Sequence, residues 1–169
     1  QVREWWGRWP EANIGIPTGA ASGVEVVDVD VHAAGSGFPA LRRAKRARLV
    51  SGWEALVGSP SGGLHLYLPN DPTRPQSSWQ AATAHIDFRV TGGYIIAPPS
   101  RVTLPDGTMG AYVLRSVGVA PAHSVDARAL WEFLAPRPPV VERGGVVRGV
   151  GAARLARWVT TLSEGERNH

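Results

Sequence analysis

Residues 24–31, Val-Glu-Val-Val-Asp-Val-Asp-Val, constrain the fold more than any other part of the chain. The run is mostly apolar and β-branched, which is typical of a buried β-strand. Side chains alternate along a strand, so Asp28 and Asp30 project from the same face. Two like charges this close repel each other unless a cation neutralises them. The pair therefore suits a hard divalent ion such as Mg²⁺, although Asp-x-Asp also begins loops and caps helices.

Length and composition restrict the class of protein. With 169 residues the chain can bury one substantial core. It has no cysteine, which excludes disulfides and thiolate zinc sites. No run approaches the roughly 20 apolar residues of a membrane span, and no signal peptide opens the sequence. We expect a soluble, intracellular (cytoplasmic) protein that makes no membrane contact.

The charge of the chain favours a polyanionic partner. The formal net charge is +4 with a pI near 10.3, and Lys45 is the one lysine among 18 basic residues. Arginine suits phosphate recognition through its planar fork, but a GC-rich genome explains the same bias. The basic run Arg42, Arg43, Lys45, Arg46 and Arg48 falls in a helix predicted over residues 39–49. It is either a nucleic-acid track or the solvated face of an amphipathic helix.

Two further strands are predicted from alternating hydrophobicity, over residues 64–68 and 85–90, and another is predicted over residues 94–97, between Gly92-Gly93 and Pro98-Pro99. Residues 71–84 form a polar connection without clear periodicity. A helix is predicted over residues 125–134, with Ser124 as its N-cap. Its expected apolar side consists of Leu130, Phe133 and Leu134.

Ionisable side chains occupy the faces opposite the apolar residues in the strand of Asp28 and Asp30 and in two of these further strands. His65 lies on one of them, and Asp87 and Arg89 lie on another. If these strands neighbour the Asp28–Asp30 strand, three carboxylates, an imidazole and a guanidinium meet on one surface. Three acids suffice to hold two divalent ions, and His65 and Arg89 would donate to a triphosphate. Taken singly, His65 is equally an ordinary half-exposed strand residue, and Arg89 could simply pair with Asp87.

Several motifs then occur in order along residues 5–134. They are Trp-x-x-Trp-Pro-x-x-Asn-Ile-Gly-Ile-x-Thr-Gly (6–19), Val-Val-Asp-Val-Asp (26–30), Ser-Pro-Ser-Gly-Gly-Leu-His-Leu-Tyr (59–67), Ile-Asp-Phe-Arg (86–89) and Gly-Gly-Tyr-Ile-Ile-Ala-Pro-Pro-Ser (92–100). This succession resembles the bifunctional DNA primase/polymerase (prim-pol) domain of the archaeo-eukaryotic primase superfamily. Such domains occur in replication proteins of plasmids, phages and integrated elements.

The resemblance implies roles for particular residues. Asp28, Asp30 and Asp87 correspond to the family's catalytic acids, which bind Mg²⁺ or Mn²⁺. The segment from Ser61 through Gly63 to His65 corresponds to its Ser-x-His-type motif, which contacts the triphosphate of the incoming nucleotide. Arg89 follows the third acid, and a phosphate contact by it is our inference. The implied fold is α/β (α+β), with an RRM-like catalytic sheet and an additional α/β unit.

The resemblance also implies a domain organisation. Residues 1–135 are the expected catalytic domain, residues 136–149 have linker composition, and residues 150–169 contain a helical pattern. Both ends look cut from a larger protein. The resemblance implies that residues 150–169 begin a truncated helical accessory domain, with a helicase further downstream.

The sequence thus predicts a nucleotidyltransferase: a DNA primase and DNA-directed DNA polymerase. Its expected partners are single-stranded DNA as template and dNTPs or NTPs as substrates. A metal-dependent nuclease would also use three acids, but it would not need a strand directed at a triphosphate. A non-catalytic single-stranded DNA-binding module would explain the basic charge and tryptophans, but it would have no use for convergent acids.

Overall fold

The structure, a computed structural model, describes residues 1–119 and 121–135. The predicted linker over 136–149 and helix over 150–169 lie outside these residues. In the described part of the chain, no helix is long and apolar enough to cross a membrane.

The described residues form a mixed α+β fold, as predicted. Its helices are α1 (Val2–Arg8), α2 (Phe38–Arg46) and α3 (Ala127–Leu134). Its strands are β1 (Ile14–Pro17), β2 (Val24–Val29), β3 (Val31–His32), β4 (Gly35–Ser36), β5 (Trp53–Gly58), β6 (Leu64–Pro69), β7 (Trp79–Ala81), β8 (Ile86–Arg89), β9 (Tyr94–Ala97), β10 (Arg101–Thr103), β11 (Met109–Ala111) and β12 (Val113–Val119).

Six of the strands form one antiparallel sheet in the order β12-β5-β6-β2-β8-β7. Strand β2 therefore lies between β6 and β8, which confirms that the three strands with ionisable faces are neighbours. The main core covers the opposite face of this sheet. There Val27, Leu66 and Phe88 are fully or almost fully buried beneath α2 and α3. Burial of such side chains stabilises the fold by about 1.5–3 kcal/mol each, so this face fixes which way the ionisable residues point.

The ionisable face is covered in part by a two-stranded ribbon, in which β1 pairs antiparallel with β9. Ile95 of the ribbon packs with Val26 and Val57 of the sheet in a second, smaller apolar cluster. The Asn13 side chain fixes the ribbon through the backbone of Arg101: its Nδ2 donates to the Arg101 carbonyl at 2.9 Å, and its Oδ1 accepts from the Arg101 N–H at 3.0 Å. The buried Ser100 hydroxyl accepts from the Ile14 N–H at 2.8 Å. These contacts join the first and last motifs of the sequence.

A buried carboxyl ties β2 to the loop before α3. Glu25 is fully buried and accepts hydrogen bonds from the Val125 N–H and, at 3.3 Å, from the Ser124 hydroxyl. Gln76 lies beside them and donates to the Val125 carbonyl at 2.9 Å. Burial raises the pKa of Glu25 to about 7, since desolvation outweighs the hydrogen bonds.

Four sequence predictions need correction. Strand β2 ends at Val29, because the Asp30 backbone bonds instead to His85 and Gly37. The connection over 71–84 contains the edge strand β7. Helix α2 spans Phe38–Arg46 and not 39–49, because Arg48 adopts a left-handed φ of 59°.

The fourth correction concerns α3. Its N-cap is Asp126, whose carboxylate accepts from the Ala129 N–H at 2.9 Å. Ser124 is not the N-cap, since it lies before this turn and its hydroxyl donates a hydrogen bond to Glu25. Leu130 is buried as predicted, but Phe133 remains 40% exposed.

Candidate active site

The register of the sheet places three of the predicted residues in one row. Asp28 lies directly opposite His65 on β6 and directly opposite Asp87 on β8. The His65 Nε2 is 3.3 Å from the Asp28 Oδ1. Directly opposed side chains on one face have Cβ atoms about 4.5–5.5 Å apart, so the register of the sheet alone brings these three side chains together.

Asp30 lies one residue beyond the end of β2, on the same side as Asp28. Burial raises the pKa of its carboxyl above the ordinary value, and the charges of Asp28 and Asp87 raise it further. The group thus lies in a region of negative potential, where a bound cation would stabilise the ionised form.

Asp87 is held by two donors. Arg89 Nη2 and Gln80 Nε2 both donate to its Oδ2, at 2.6 and 2.9 Å. Gln80 lies on β7 directly opposite Asp87. Gln80 was missed at the sequence level, because the short strand that carries it lies in a segment without periodicity.

His65 is buried, with 5% of its surface exposed, and is not the half-exposed strand residue considered from sequence. Its Nδ1 has no hydrogen-bond partner among the described residues. The ring of Tyr112, another residue not predicted from sequence, lies 5.5 Å from the imidazole, centroid to centroid. Because Nδ1 is buried, a contact with an anion in the cleft would have to be made by Nε2, the nitrogen beside Asp28.

Ser61 and Gly63 lie in the turn between β5 and β6. The exposed Ser61 lines a cleft of about 170 Å³ together with Asp28, Asp30 and His65. A side chain at Gly63 would collide with the Val29 carbonyl oxygen, so glycine allows the turn to approach the end of β2.

A second cleft, of about 310 Å³, opens on the same carboxylates. It is lined by Asp28, His65, Arg89, Tyr112 and residues 92–96. Tyr94, at the start of β9, is 68% exposed at this cleft and was also missed from sequence. The volume is at the lower end of the range for small-molecule sites.

The carboxylate oxygens of Asp28, Asp30 and Asp87 have the donor chemistry that Mg²⁺ and Mn²⁺ prefer. As placed, however, no group of three or more His, Cys, Asp or Glu side chains among residues 1–119 and 121–135 is arranged to hold an ion. The donor set still fits a divalent cation, because Mg²⁺ is usually held by one or two carboxylates and takes its other ligands from water and substrate phosphates.

A sheet face that combines carboxylates, a histidine and an arginine beside an open cleft has the chemical groups that phosphoryl or nucleotidyl transfer uses. The family model described as the N-terminal domain of bifunctional DNA primase/polymerase (Prim-Pol) matches residues 1–124. The chain belongs to this family. No curated protein matches it. Membership confirms the resemblance found in the sequence and indicates a DNA primase/polymerase, with a DNA template and nucleotide substrates.

Proposed function

We propose that this chain is the catalytic module of a template-directed primase/polymerase that joins nucleotides 5′ to 3′ on single-stranded DNA. The observation that carries the proposal is the row of Asp28, His65 and Asp87 across three adjacent strands, within the region that matches the family. We also propose that the protein acts inside the cell, in the replication of a plasmid, phage or mobile element. Helical and helicase domains would follow this module in the full-length protein.

The acids supply the metal site. Asp28, Asp30 and Asp87 would hold Mg²⁺ or Mn²⁺. Two such ions, when bound, would supply Lewis-acid stabilisation for the attacking 3′ oxygen and for the pyrophosphate leaving group. Asp28 and Asp87 lie on central, largely buried strands of the sheet, so their backbone positions are fixed before substrate arrives.

The donors around the acids supply the triphosphate site. His65 and Arg89 line the larger cleft beside Asp28, and Ser61 lines the smaller one. Each can donate to phosphate oxygens, where negative charge must be balanced in the transition state. Gly63 contributes by letting the Ser61 turn lie close to the acids.

Exposed aromatic and basic side chains would contact the template. Trp5, Trp6 and Trp9 are each about half exposed, and the Arg8 guanidinium lies 4.8 Å from the Trp9 ring centroid. Nucleobases stack on such side chains with about 1–3 kcal/mol per base.

A primer-extension experiment tests the proposal. The chain is incubated with Mg²⁺ or Mn²⁺, dNTPs or NTPs, and a labelled primer on a single-stranded template. Lengthened primers are expected. Shortened primers would identify a nuclease, and a gel shift with unchanged primers would identify a binding module; either result would refute the proposal.

A further inference from the structure

The hydrogen bonds of Asp87 bear on how its carboxylate becomes available to a cation. Both of its donors, Arg89 and Gln80, reach the same oxygen, Oδ2. The Asp87 side chain is only 9% exposed, whereas the Arg89 side chain is 31% exposed and lines the cleft with Asp28 and His65. Arg89 thus lies between a buried acid and the open part of the site.

We infer that Arg89 exchanges partners during the reaction cycle. It breaks its hydrogen bond with Asp87 Oδ2 and binds the triphosphate of the incoming nucleotide instead. This inference rests on the proposed function and adds to it an order of events. Asp87 would become fully available to a cation only after the nucleotide has drawn Arg89 away.

The exchange follows from the charges involved. A guanidinium on Oδ2 neutralises the charge of the Asp87 carboxylate, and it would repel a divalent ion bound to the same carboxylate. A triphosphate offers several anionic oxygens in exchange for one carboxylate oxygen, and guanidinium binds phosphate well. Gln80 is neutral and does not repel a cation. It can therefore remain on Asp87 and keep the carboxylate oriented, which makes it a positioning residue.

The positions of the acids agree with this exchange. Asp28 and Asp87 are directly opposed in the sheet, yet no three acidic or imidazole side chains in the described ranges are arranged to hold an ion. With Arg89 bonded to Asp87 Oδ2, one member of the carboxylate set is already engaged.

The first test measures Mn²⁺ binding without nucleotide, from the loss of the free-ion signal in electron paramagnetic resonance. Arg89→Gln should bind Mn²⁺ at least fivefold more tightly than the wild type. Arg43→Gln, a matched loss of charge on the exposed face of α2, should stay within twofold of the wild type. The increase in Mn²⁺ affinity caused by Arg89→Gln should disappear when Asp87→Asn is also present. Equal binding by Arg89→Gln and Arg43→Gln, or a gain that survives Asp87→Asn, would overturn the exchange.

The second test measures the other half of the exchange, by calorimetry with inorganic tripolyphosphate in EDTA. Asp87→Asn should bind tripolyphosphate at least fivefold more tightly than the wild type, because Arg89 is released. Addition of Arg89→Gln should remove that gain. A gain independent of Arg89, or no gain, would contradict the inference. Neither test contains a primer or template, so failure here is distinguishable from failure of primer extension.

Discussion

Replacement of Glu25 by glutamine should change how the stability of the fold depends on pH. Glu25 is fully buried, and its pKa is raised from 4.5 to about 7. The folded chain therefore holds a proton that the unfolded chain releases. Its contribution to stability is fully present below pH 4.5 and is lost as the pH rises through 7. Glutamine has nearly the same shape and no proton to lose.

The size of the effect follows from the pKa difference. A shift from 4.5 to about 7, at 1.36 kcal/mol per unit, corresponds to about 3 kcal/mol above pH 7. An amide cannot reproduce every hydrogen bond of the carboxyl group, and one lost hydrogen bond costs about 1 kcal/mol. Glu25→Gln should therefore be about 2 kcal/mol more stable than the wild type at about pH 8, and no more stable than it near pH 4.5.

Urea unfolding followed by tryptophan fluorescence, in a pH series, measures this difference directly. All other titrating groups are shared by the two chains, so their contributions cancel. Glu25 lies on the opposite face of β2 from Asp28, so primer extension should be unchanged. A stability difference that does not vary with pH would refute the inference that Glu25 is protonated in the folded chain.

Further predictions concern nucleotide binding, template binding and α3. His65→Ala should weaken dNTP binding in calorimetry and leave template affinity within twofold; equal losses would indicate a structural histidine. If α2 follows the template, replacing Arg42 and Arg43 by glutamine should lower the slope of log affinity against log salt by about 1.4, at roughly 0.7 per phosphate contact. An unchanged slope would identify a solvated face. Asp126→Ala should lower the free energy of unfolding by about 1 kcal/mol in urea titrations, through loss of the N-cap; no change would contradict the cap.

The faces of the central strands could be predicted from the sequence, because alternation is a local property. Leu66 and Phe88 had to point into the core, so His65 and Asp87 had to point away from it. The register between the strands could not be predicted from the sequence. That Asp28 lies opposite both residues depends on pairing between distant segments, which no local pattern encodes.

Contacts that depend on tertiary packing were missed. Gln80 lies in a three-residue edge strand, too short for alternation to be recognised. The partners of Glu25 at 124 and 125 are about a hundred positions away in the chain, so its burial could not be inferred. Residue type alone led to Ser124 as the cap of α3, since nothing local showed that its hydroxyl was already bonded.

The rate of primer extension by Asp28→Asn tests the central claim most directly. The change removes one charge and keeps the shape of the side chain in the middle of the row. The matched control is Asp106→Asn, in the exposed turn between β10 and β11. Asp28→Asn should lose extension by about a hundredfold or more, the scale for removing one group that stabilises transition-state charge. The control should keep the wild-type rate. Extension by Asp28→Asn at the rate of Asp106→Asn would contradict the assignment of this row of residues as the active site.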